Sequence, residues 1–154
     1  GFIPYGIRMI LLYLYEKALP SKATSGIAGY IGLSGMADSE NLMSFERKIT
    51  EESSKHKTSI FWNYFQRWKQ YFPMEQKERE EYLAWAEKII YSRADASVGG
   101  QHRNHYCEVV QLLAMVGEIK ESMGNSGAKE KIFAEYRSKF PRHSSFQREM
   151  KNYF

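Results

Sequence analysis

The chain has 154 residues, 43% hydrophobic and 15% aromatic, which is enough to build a substantial core and excludes a chain too polar to fold. Twenty-two basic residues against 18 acidic ones leave a net charge of +4, too mild to mark a nucleic-acid binder by charge alone. The single cysteine, Cys107, excludes an internal disulfide and a thiolate metal cage built within the chain, and it fits a reducing, cytoplasmic setting.

The first residue is Gly rather than Met, and an apolar stretch follows at once, which points to a fragment of a longer chain. The longest apolar run, Met9 to Tyr15, is far too short to span a bilayer and ends in Glu16-Lys17, so no membrane partner is expected. A first helix is predicted over Pro4 to Leu19, with proline at its first turn and Pro20 as its stop.

The stretch SGIAGYIGLSGMADSE then places Gly26, Gly29, Gly32 and Gly35 at intervals of three. A P-loop needs a lysine directly after its last glycine, and none occurs before Lys48. The dinucleotide-binding fingerprint needs a buried strand in front, where the first helix is predicted instead. The segment reads as a connector with Ile27, Tyr30, Ile31 and Leu33 tucked on the core, any helix within it being short because repeated glycine is costly there.

A second helix is predicted from Asp38, a good N-cap, to Ser54, and a third over SIFWNYFQRWKQYF after Thr58. In the third, Phe61, Phe65, Trp68 and Phe72 follow i, i+4, i+7, i+11, a core stripe from which Trp62 projects as a candidate contact residue. Beyond Pro73 a long charged helix is predicted over Met74 to Ala96, with Tyr82, Trp85, Ala86, Ile89 and Ile90 as its apolar face.

Gly99-Gly100 marks a turn. The next helix is predicted over Gln101 to Met123, with Tyr106, Val109, Val110, Leu113 and Val116 on one face and Gly124 in the left-handed position at its end. Ala114 and Gly117 lack bulk, which permits a close helix crossing there. A sixth helix ends before Pro141, with Phe133, Tyr136 and Phe140 toward the core. A seventh covers Ser145 to Tyr153, with Ser144 and Gln147 as a capping box and Phe146 and Met150 facing in. The expected fold is therefore all-α: six or seven helices in antiparallel hairpins, either tetratricopeptide-like or an irregular bundle. A single domain over 1–154 is expected, with a sub-division at 72/73 as the alternative.

Few residues suggest chemistry. His102 and His105 are spaced i, i+3, but no third ligand follows on that face, so no metal is expected. Cys107 diverges from His105 on a helix and does not form a thiol–imidazole pair with it. No paired carboxylates, catalytic triad or glycine elbow is present, and neither an enzyme nor a cofactor is expected. The most basic segment is the tail, where Arg137, Lys139, Arg142, Arg148 and Lys151 join Trp62 as candidate partner contacts.

Residues 80–150 carry a family resemblance. His102-Arg103 with Tyr106, the pair Gly117-Glu118 and the closing FPRHSSFQREM make this half similar to the helical C-terminal tail of large SWIM-type zinc-finger proteins. The resemblance implies an interaction or scaffold region, with the zinc module upstream and none of its ligands here. Leu113, Gly117, Phe133 and Pro141 also sit as in a tetratricopeptide repeat, except that Lys129 stands where that pattern has a small residue.

The expected function is a non-enzymatic helical interaction module whose partner is a protein or the upstream domain. The alternative is a nucleic-acid-binding domain using a helix-turn-helix-like segment, residues 27–48, or the basic tail. Acidic Asp38 and Glu40 at the start of the would-be recognition helix count against the first of these two routes.

Overall fold

The computed structural model describes residues 5–17, 19–28 and 62–154. These are helical, with no strand among them, and they form an all-α bundle. In chain order the helices are α1 (Tyr5–Leu14), α2 (22–28), α3 (62–70), α4 (Gln76–Gly99), a 3-10 turn at Arg103–His105, α5 (Tyr106–Ser122), α6 (Ala128–Lys139) and α7 (Ser144–Tyr153). The expected helix at Asp38 to Ser54, the glycines beyond residue 28, most of the 27–48 segment and Phe61 lie outside the described residues.

Two compact units emerge, Gly1–Lys17 with Met74–Phe154, and Ala18–Pro73. The sequence favours a single domain, with a sub-division at 72/73 as the alternative; the units divide between Pro73 and Met74, and α1 belongs with the C-terminal unit rather than with the segment that follows it.

In the larger unit α5 is the central helix, with α1, α4, α6 and α7 packed against it. Its sequence is apolar nearly all round, and Leu112 through Ile119 are buried without interruption, as a helix enclosed on every side must be. The predicted face of Tyr106, Val109, Val110, Leu113 and Val116 is buried in full. From α1 come Ile7, Leu11, Leu12 and Leu14, and from α4 Leu83, Ala86, Ile90, Ala94 and Val98.

The closest approach is between α5 and α6. A Cβ on Gly117 would lie 2.6 Å from Lys129 Cα, so only glycine lets the two backbones meet there. This explains how a lysine stands where a small residue is expected: its backbone meets Gly117, and its ammonium swings out to Glu118 Oε1 at 2.8 Å. Glu121 accepts the Lys129 N–H at 3.1 Å, satisfying one free donor at the start of α6. Gly124 takes the left-handed conformation that the sequence predicts, with φ 99°.

Several expectations are corrected. Helix α1 ends at Leu14, not Leu19; the buried Arg79 donates to the Leu14 carbonyl at 2.7 Å and pairs with Glu16 at 2.9 Å, so a tertiary cap rather than Pro20 marks the end. Residues 103–105 form a 3-10 turn before α5, and Gln101 rather than either preceding glycine takes positive φ.

Ser144 and Gln147 form no capping box. Gln147 donates instead to the carbonyl of Phe140 at 2.9 Å, so its amide caps the end of α6 rather than the start of α7. In α6 it is Ile132 and Tyr136 that are buried, while Phe133 and Phe140 are half-buried. Phe146 and Met150 do close the core from α7, both fully buried, with Phe146 edge-on to Tyr106 at 5.5 Å.

In the smaller unit, Ser21 caps α2 by accepting the Thr24 N–H at 3.1 Å, and Ala23, Thr24, Ile27 and Ala28 are buried. Along α3 the aromatic stripe is rotated from its expected position. Trp62 and Phe65 are buried, whereas Trp68 and Phe72 are about half exposed.

Candidate partner-binding surfaces

Helix α4 opens with Glu75 and Glu78 in a reciprocal capping box, which fixes its first turn. From there two apolar stripes run along it. Arg79, Leu83, Ala86, Ile90, Ala94 and Val98 repeat at three- and four-residue steps and are buried. One position round the helix, Tyr82 and Trp85 form a second stripe, 45% and 48% exposed, with Ile89 half-buried below them. The helical periodicity predicts a single apolar face including Tyr82 and Trp85. That face is wider than the bundle can cover, and these two rings are the surplus.

Tyr82 and Trp85 line a groove of about 420 Å³ with Ile10 of α1 and with Glu78 and Glu81. Neither ring stacks on another, and neither polar tip has a hydrogen-bond partner among the described residues. Exposed large aromatics with unused N–H and O–H groups are the kind that anchor interfaces. Sequence reasoning assigned these residues to the core. The signal that separates them is the competing stripe at Leu83, Ala86 and Ile90, whose smaller residues allow closer packing.

Of the contacts expected from the sequence, Trp62 is only 3% exposed and does not project from α3. The exposed aromatics of that segment are Tyr64, Trp68, Tyr71 and Phe72, with Trp68 packed on Phe65 and on Phe72 at 5.6 and 5.1 Å. Arg137, Lys139, Arg142, Arg148 and Lys151 are all exposed. Lys139 is held by Asp95 at 2.6 Å. Arg142 shares a cavity of about 250 Å³ with Arg103 and the first residues of α7. The five basic residues are spread over α6, the turn after it and α7, rather than gathered on one helix.

A larger cavity, about 650 Å³, opens beside the turn between α5 and α6. Its charged groups are of both signs: Glu87 and Lys120 pair at 2.7 Å, and Lys131 and Glu135 also line it. Tyr91 donates to Glu87 at 3.1 Å. Burial, and then the Glu87 carboxylate, push the Tyr91 hydroxyl well above its usual range. Burial does the same to Tyr136, helped by Asp95, and to Tyr153, which also hydrogen-bonds Cys107. All three phenols are therefore protonated near neutral pH.

Among the described residues, His102 and His105 belong to no metal-ligand set. His102 is exposed, and His105 Nδ1 lies 3.7 Å from Glu108. Among the described residues no three metal-ligating side chains come together. Cys107 is exposed and lies 3.4 Å from the Tyr153 hydroxyl. Among the described residues no helix is long and apolar enough to cross a membrane. No family model, no curated protein and no solved structure matches the chain.

Proposed function

We propose that this chain is a non-enzymatic helical interaction module that docks a protein partner, or an upstream domain of its own protein, on the outer face of α4. The observation that carries this reading is the second apolar stripe: Tyr82 and Trp85, each nearly half exposed, beside Ile10 in an open groove. Each ring is already about half buried, so docking recovers on the order of half of the roughly 1.5–3 kcal/mol that full burial of a large side chain is worth. The sequence resemblance of residues 80–150 to the tail of SWIM-type zinc-finger proteins implies the same kind of role, and the single cysteine, Cys107, fits a cytoplasmic setting.

The second reading, nucleic-acid binding, draws on the exposed Arg137, Arg142, Arg148 and Lys151. A site-specific photo-crosslinker placed at Tyr82 in one preparation and at Arg148 in another separates the two in cells. Protein adducts at position 82 support the interaction module. RNA or DNA adducts at position 148, with affinity that falls steeply with salt and no protein adduct at 82, overturn it in favour of the second reading.

A further inference from the structure

The groove on α4 has a chemistry of its own. The chain carries a net charge of +4, yet the exposed surface at the start of α4 holds four carboxylates, Glu75, Glu78, Glu80 and Glu81, against one lysine, Lys77. Arg79, the other cation in that stretch, is buried and engaged with Glu16 and the Leu14 carbonyl, so it pairs with none of these four carboxylates. Two of the four carboxylates, Glu78 and Glu81, line the groove itself, where they flank Ile10, Tyr82 and Trp85. Among the described residues Glu81 has no ion pair or hydrogen bond, and Glu78 is engaged only in the capping box of its own helix.

The geometry points to a basic peptide segment of a partner protein, with arginines flanking an aliphatic anchor, as the occupant of this groove. This rests on the reading of the chain as an interaction module and specifies its partner. A guanidinium is matched three ways at once. It stacks on the faces of Trp85 and Tyr82, donates paired N–H groups to Glu81, and is weakly enough hydrated to enter a half-apolar site. The aliphatic anchor covers Ile10. Nucleic acid and anionic lipid are repelled by the same carboxylates, which separates this surface from the basic tail.

Three dye-labelled amphipathic peptides test this against the full chain by fluorescence anisotropy: one of arginine and leucine, one with glutamate for arginine, and one with serine for leucine. The arginine–leucine peptide binds best, and the glutamate peptide is rejected. Trp85→Ala weakens the best peptide by about tenfold or more, as expected for an aromatic anchor. The double variant Glu78→Lys, Glu81→Lys reverses the preference toward the glutamate peptide, which a fold defect cannot do; circular dichroism checks that both variants remain helical.

Equal binding of the arginine and glutamate peptides, or the same affinity after charge reversal, overturns the proposal. Self-association that Trp85→Ala abolishes shows that a second copy takes the groove and also overturns it. The two readings fail separately: protein adducts at position 82 without an arginine preference refute only the partner chemistry, whereas the absence of protein adducts refutes the docking surface itself.

Discussion

Helices α5 and α4 belong to the same bundle and treat their apolar residues in opposite ways. On α5 the run from Leu112 to Ile119 is covered on every side. On α4 one apolar stripe is covered, and the stripe beside it, Tyr82 and Trp85, is left in solvent. The difference follows from position. Helix α5 lies between α1, α4, α6 and α7, while α4 packs on α1 and α5 and offers its far side to water. An apolar residue on a central helix is explained by the core. The same residue type on a peripheral helix, beyond the width its neighbours can cover, calls for another partner.

The sharpest way to break this comparison is to remove what encloses α5. Phe146 is fully buried and meets the rings of Tyr106, Tyr136 and Phe140. Phe146→Ala is expected to cost about 3–5 kcal/mol in chemical denaturation, the range for emptying a packed aromatic site. A neutral result would mean that α7 does not seal α5.

Next in size is the crossing at Gly117. Gly117→Ala places a methyl 2.6 Å from a backbone carbon that cannot retreat without moving α6. A net loss of about 1–3 kcal/mol is expected even though alanine is the better helix former by about 1 kcal/mol. Thermal unfolding that shows a gain instead would place α6 further from α5 than described.

The bundle also has a pH edge. Burial raises the hydroxyl of Tyr136 above its usual range. A raised folded-state pKa means that its contribution is complete below the unfolded value, about 10, and is lost as pH rises from there, because the unfolded chain releases the proton first. Stability measured by urea titration should thus fall above about pH 10. The fall should be shallower in Tyr136→Phe; an unchanged slope would remove Tyr136 as its source.

The smallest effects are expected on the outer faces. Trp85 is 48% exposed, so Trp85→Ala should cost less than about 1 kcal/mol, despite removing the largest side chain on α4. Arg148→Glu, on the exposed side of α7, should stay within about 0.5 kcal/mol. Denaturation curves of the two variants beside that of Phe146→Ala measure the contrast directly. A loss at Trp85 as large as at Phe146 would make the second stripe part of the core after all.

Much of this was legible in the residues. The 3.6-residue recurrence of Tyr106, Val109, Val110, Leu113 and Val116 predicts a helix with a buried face, and Gly117 predicts the close crossing, because backbone approach is limited by local side-chain bulk. Gly124 predicts the left-handed residue after α5 for the same local reason. Phe146 and Met150, one turn apart, predict the inward face of α7.

What periodicity leaves open is a choice between neighbouring faces. Tyr82 and Leu83 lie one residue apart and are both apolar. A hydrophobic pattern orders such positions by angle, and an error of one residue, about 100° of helix, exchanges core for surface. Which stripe is covered depends on which helices arrive and from where. The same holds for caps. Gln147 reaches back to the Phe140 carbonyl rather than to its own helix start, and Arg79 ends α1 from sixty-five positions along the chain. The sequence alone determined the helices of the larger unit, the enclosed α5 and its glycine crossing, since these follow from short-range sterics and patterning. Only the tertiary structure decided the end of α1, the inward face of α3 and the uncovered face of α4, since each depends on side chains that meet only when the helices pack.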